Sequence, residues 1–217
     1  MRLPFLVLFA TLAAAQTTTP SVQATGSATI TVKPDQASLT IGVVTQGSTA
    51  QQAADLNATA ADAMIKALDS VVHGSGTIQT ISYSLSARYS NNGTVIAGYV
   101  ASNTVQVVTT NLSLVGPLID AGNKAGANEI GGPSFSLQNP EPQRQQALAA
   151  AAKQALAHVA AIASGLGAKT GAVLAAQEGS SVTPIGISGA GAATSTPIQT
   201  GTVSVSATVT VSVALVQ

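Results

Sequence analysis

The chain closes on TVSVSATVTVSVALV, residues 202–216. Valine, with one Ala and one Leu, fills every odd position from 203 to 215, and Ser or Thr fills almost every even one. A period of two puts alternate side chains on opposite faces of a strand, so one face is apolar and the other is hydroxyl. At about 3.3 Å per residue the segment reaches roughly 50 Å, far longer than a common strand of about 5–6 residues. Its Val face is expected to be a sheet core. A strand so long is expected to bend or to overhang its own sheet, and the hydroxyl face is left open between solvent and a partner.

Working outward, the 217 residues suit one large domain, with no interior linker in view. Residues 1–15, MRLPFLVLFATLAAA, read as a secretory signal peptide: Arg2, an apolar run from Leu3 to Leu12, and a small-residue exit before Gln16. That run is about half of the ~20 apolar residues a membrane span needs. The expected organisation is therefore signal peptide 1–15, disordered leader 16–23, and a single domain 24–217. Location is periplasmic or secreted, with no membrane span after cleavage. The absence of Cys excludes a lipidated N-terminal cysteine and any disulfide.

Cleavage leaves seven basic and eight acidic residues, and only 7% of the whole chain is charged. That is too little basic charge for a nucleic-acid surface. The four aromatics then left, Tyr83, Tyr89, Tyr99 and Phe135, are too few for stacking platforms or barrel girdles.

Strand-like runs at 25–33 and 37–46 flank Lys33-Pro34-Asp35-Gln36, where Pro and Asp supply turn chemistry. A helix over 49–71 follows, with a capping box at Ser48 and Gln51. Its apolar stripe is Ala53, Leu56, Ala60, Met64, Ala67 and Val71. Asn92-Gly93 then joins two alternating runs into a hairpin. A two-residue turn there puts Tyr89 opposite Ile96 and Ala87 opposite Gly98. Tyr83, Leu85 and Tyr89 then share a face and Tyr99 lies on the other, unless a bulge at Gly98 intervenes.

A short helix runs from Ser113 to Gly126, and EIGGPSFSL reads as a strand. Asn139-Pro140-Glu141 opens a long Ala-rich helix whose stripe is Leu148, Ala152, Ala155, Val159, Ile162 and Leu166. A strand at 170–177 precedes an aperiodic Gly/Ser/Ala/Thr run, 179–200, expected to be a mobile loop. The order β-β-α-β-β-α-β-α-β-β, richer in hairpins than in crossovers, predicts an α+β fold. Helices should cover one face of a mostly antiparallel sheet.

Chemistry-bearing residues are scarce. His73 at a helix end and His158 at the edge of the long helix's apolar stripe have no metal-ligand spacing around them. No Gly-x-Ser-x-Gly elbow occurs, and the Gly pairs at 74–76, 165–167 and 189–191 do not complete a phosphate fingerprint. No catalytic, cofactor or metal residue is assigned, and no cofactor is expected.

Several stretches together resemble the SIMPL-domain family of bacterial exported proteins: Gly26, Pro34-Asp35-Gln36-Ala37, TISYSLSARY, IAGYVASN with Gly98-Tyr99, and LIDAGNKAGANEI with Gly126. Phe135, ALAAAAKQALAHVAAIASGLGAKTG with Gly167, and the closing PIQTGTVSVSATVTVSV with Gly201 complete the match over 24–216. The family includes periplasmic oxidative-stress-defence proteins and an immunodominant antigen. The resemblance implies an envelope protein without established catalytic residues, some members forming ring- or channel-like oligomers. Pro34, Asp35, Gly98, Tyr99, Gly126, Gly167 and Gly201 are then family-matching positions of structural kind. The resulting expectation is a non-enzymatic, self-assembling envelope protein, a homo-oligomer linked to envelope or oxidative-stress defence. The alternative is a binding module for a small apolar ligand or a partner protein.

Overall fold

The fold was read from a computed structural model, which describes residues 19–90, 93–185 and 198–217. The expected signal peptide, Asn92 of the hairpin turn and the middle of the expected loop lie outside the described residues.

The closing segment forms β8 (Thr202–Val216) and lies at the centre of a three-stranded antiparallel sheet. On one side it pairs with β1 (Ser21–Val32), Val203 facing Val32 and Ala214 facing Ser21. On the other it pairs with β7 (Lys169–Ile185), from Thr202 against Ile185 to Val216 against Lys169. Both edges are thus occupied along its length, and the expected overhang does not exist. Long neighbours on both sides match its length. Two other expectations change with it. Residues 21–23, placed in the leader, belong to β1, and 179–185, placed in the mobile loop, belong to β7.

The fold is α+β with antiparallel pairing, but it has two sheets rather than one. The second sheet runs β3 (Gly76–Tyr89), β4 (Ile96–Thr109), β2 (Gln36–Gly47), β5 (Glu129–Ile130), with β6 (Ser134–Ser136) also on β2. Pro34-Asp35 therefore does not close a hairpin. It redirects the chain from one sheet to the other: Pro34 is buried, the Asp35 amide donates to Ser136 O at 3.1 Å, and its carboxylate accepts from the Gln138 amide at 2.6 Å. The run EIGGPSFSL splits into β5 and β6 around Gly131-Gly132.

Each sheet carries helices on one face and builds its own core. Helices α1 (Ala50–Val72) and α2 (Val115–Lys124) cover the β2–β4 sheet, burying Leu39, Ile41, Val105 and Val107 against Met64, Leu68 and Leu118. Helix α3 (Glu141–Gly165) covers β1 and β8, burying Ala147, Ala151, Ala155 and Val159 against Val209, Val211 and Val213. It is the one described helix long and apolar enough to cross a membrane, yet its Ala line is seated on these strands.

Both long helices are rotated relative to their expected stripes. The buried line of α1 is Ala53, Asn57, Ala61, Met64, Leu68 and Val72, which leaves Leu56 half exposed. A buried Asn57 decides this phase: its Nδ2 donates to Val43 O at 2.9 Å and Ala101 O at 3.1 Å, pinning the helix over the β2–β4 seam. The cap also shifts by one residue, with Thr49 Oγ1 accepting from the Gln52 amide and Gln52 Oε1 accepting from the Ser48 amide. In α3 the buried line Ala147, Ala151, Ala155, Val159, Ala163 follows an i, i+4 ridge instead of a straight 3.6-residue face. Leu156, Ile162 and Leu166 are left in solvent.

Candidate interaction surface

The family-matching residues are spread through the fold as joints, not gathered into a cleft. Gly126 and Gly167 end α2 and α3 with positive φ (98° and 70°), where Ala127 N donates to Gly122 O and Ala168 N to Ala163 O. These are left-handed helix stops that a side chain disfavours. Gly201, φ 61°, precedes β8. Gly98, φ 150°, sits in β4 where an added Cβ would lie 3.0 Å from Gly47 O. There the β3–β4 register shifts: Tyr89 still faces Ile96 as expected, but Arg88 faces Gly98 and Ala87 faces Tyr99. The bulge overturns the expected separation of the tyrosines, because Tyr99 now lies on the same face as Leu85 and Tyr83, which oppose Ala101 and Asn103.

The histidines serve geometry. The His73 backbone takes a left-handed conformation (φ 42°) and closes α1, its amide donating to Asp69 O at 3.0 Å. His158 Nδ1 lies 2.9 Å from Thr25 O, a contact that needs Nδ1 as donor. One turn earlier, Gln154 Oε1 accepts from the Ser27 amide at 2.6 Å. Two side chains of α3 thus engage the backbone of β1. The helix can lie this low because Gly26 has no Cβ; an added one would stand 2.2 Å from Ala151 O. Among the described residues no three of His, Cys, Asp and Glu converge as metal ligands.

Two cavities are shallow. One, about 340 Å³, is lined by Thr40, Thr104, Glu129, Ile130 and Gly131. Thr40 alternates with the buried Leu39 and Ile41, so this cavity opens on the face away from the helices. The other, about 190 Å³, lies at the sheet end around Gln36, Thr77, Val108 and Gln138.

The most distinctive surface is the rim. A free sheet edge presents a row of unpaired N–H and C=O groups, and proteins usually blunt it with charge, Pro, bulges or a covering element. Here α3 engages the β1 edge, and β5 and β6 are only two and three residues long. The β7 edge carries Glu178 and Pro184. The β3 edge has fourteen residues with one charge, Arg88, no Pro, and two register shifts that leave Ser82–Arg88 regular. It displays Ile81, Tyr83, Leu85 and Tyr89 at 50, 56, 41 and 57% exposure, and Val95 and Ile96 beyond the turn add to the same hairpin. Sequence patterning marked this as a hairpin; which strand would be an edge depended on the β1–β8 pairing, which local pattern does not show.

This chain, α+β in fold and poor in chemistry-bearing residues, matches a known family. The family model SIMPL, described as a protein of unknown function (DUF541), matches residues 22–213, and the chain belongs to that family. It is similar to the uncharacterized protein YggE of Edwardsiella ictaluri (strain 93-146), 29% identical over 160 residues and 71% of this chain. The aligned part spans 66% of that relative's length.

Proposed function

We propose that this chain is a non-enzymatic, exported envelope protein that self-assembles, with a role in envelope or oxidative-stress defence. The observation that carries the assembly is the β3 edge, where a long, nearly charge-free strand exposes two tyrosines and two branched aliphatics. Single exposed apolar residues are ordinary, but several along one unpaired edge mark a surface for association. The sparse charge of the chain does little to oppose that association. Export rests on the pattern of residues 1–15 and on the SIMPL resemblance. Multi-angle light scattering on the purified, processed protein tests the assembly: species larger than a monomer at tens of micromolar are expected, and a strict monomer defeats it.

The second reading, a binding module for a small apolar ligand or a partner protein, draws less support. The helix–sheet seam is filled by Leu39, Ile41, Met64 and Leu68, and the 340 Å³ cavity is lined largely by Thr and Gly. Native mass spectra of protein purified from several growth conditions test it, with ligand carry-over expected on this reading.

A further inference from the structure

We propose that β3 is the joint of the assembly, pairing antiparallel with β3 of a second copy across a two-fold axis at Leu85, so that the two five-stranded sheets run on as one. This rests on the self-assembly reading and specifies its geometry. A free edge is completed along its length by another strand, and among the described edges β3 is the long one with neither a Pro nor the backbone contacts that α3 makes to β1.

The register follows from where β3 is regular. Its ladder to β4 is interrupted between Thr80 and Ser82 and again between Arg88 and Tyr89, which leaves Ser82–Arg88 continuous and Leu85 at its midpoint. A two-fold there sets Leu85 against Leu85 of the second copy, Tyr83 against Ala87, Ser84 against Ser86, and Ser82 against Arg88. The segment is self-complementary in this register. Tyr83, Leu85 and Ala87 point to the helix side and form a continuous apolar row, an aromatic or aliphatic neighbour for each. Ser82, Ser84 and Ser86 form a hydroxyl row on the other side. The one charge, Arg88, meets a serine and not its own copy, so no like charges oppose.

The helices leave room. Asn57 seats α1 over the β2–β4 seam. The two α1 axes would then stand four strand spacings apart, roughly 19 Å at about 4.8 Å each. Packed helices need only about 8–10 Å, so the joined sheet has space for the Tyr83 rings between the helices. A second copy is favoured over a foreign peptide because the regular segment's pattern completes itself, with Tyr83, Leu85 and Ala87 each given an apolar neighbour and Arg88 kept from its own copy.

The chain has no cysteine, so a single introduced thiol reports its own neighbours. In an antiparallel pair, residues directly opposite have Cα atoms about 4.5–5.5 Å apart, within disulfide reach. Under mild oxidant, Leu85→Cys is expected to convert most of the protein to a covalent dimer, while Ser180→Cys on the β7 edge does not. Mixing Ser84→Cys with Ser86→Cys should give more cross-linked dimer than Ser86→Cys alone. Because β3 is exposed, these variants are expected to keep the wild-type circular dichroism spectrum. If scattering shows an assembly but Leu85→Cys cross-links no faster than Ser180→Cys, the β3 joint is wrong and self-assembly stands. If the wild-type protein is monomeric, both fall.

Discussion

Gly26 is the position where a single atom decides whether the β1–β8 sheet can keep its helix. A Cβ there would stand 2.2 Å from Ala151 O and 2.4 Å from Ala155 N, both backbone atoms that cannot rotate away. Gly26→Ala must therefore push α3 off β1, loosening the Gln154 and His158 contacts as well. Overpacking of this kind costs on the order of 3 kcal/mol, equivalent to a fall in Tm on the order of 10 °C for a domain of this size. Calorimetry checks it; an unchanged Tm would contradict the close approach. Asn57 is the opposite case, a buried amide whose Nδ2 donates twice while its Oδ1 has no partner. Asn57→Leu keeps the volume but removes two donated hydrogen bonds, and should cost about 1–3 kcal/mol by urea denaturation. A variant as stable as wild type would show that the two bonds do not hold α1 in place. Gly26 was legible as a family-matching glycine, though the reason for it was not, since the contact joins residues more than a hundred positions apart. Asn57 was not legible: an Asn inside a helical pattern reads as surface when its acceptors, Val43 O and Ala101 O, come from remote strands.

The elements were legible in type and order, and their phases were not. β8 alternates so strictly that its buried face was fixed by sequence: Val203, Val205, Val209, Val211 and Val213 are all buried. Val205→Lys puts a charge at a fully buried position and should leave no folded protein, whereas Thr208→Lys, on the exposed hydroxyl face, should fold with a near-native Tm. Circular dichroism melts of the two variants check this, and a folded Val205→Lys would contradict the core assignment. Val209 is the weaker choice for such a test, because Glu178 faces it and could pair with a lysine. The helices were harder because Ala dominates them. In α3, where most residues are small and similar, hydropathy cannot tell a straight stripe from an i, i+4 ridge, and the crossing of helix over strands chose the ridge.

For the whole molecule, the deciding contact is the pairing of the first strand with the last, which the sequence patterns of 21–32 and 202–216 do not announce separately. Turn chemistry at Pro34-Asp35 does not say whether the flanking strands pair, because it supplies the same reversal in either case. Once β1 leaves for β8, the β2–β4 sheet has β3 at its rim, and the assembly question becomes a question about that strand. The double variant Tyr83→Lys, Leu85→Lys places two charges at exposed positions of β3, away from Ile78, which packs on the core, so it should fold as well as wild type. Light scattering of wild type and this variant side by side is the most direct measurement. The account predicts an assembly for wild type at tens of micromolar and a folded monomer for the variant; a wild-type protein that is monomeric at that concentration would contradict it.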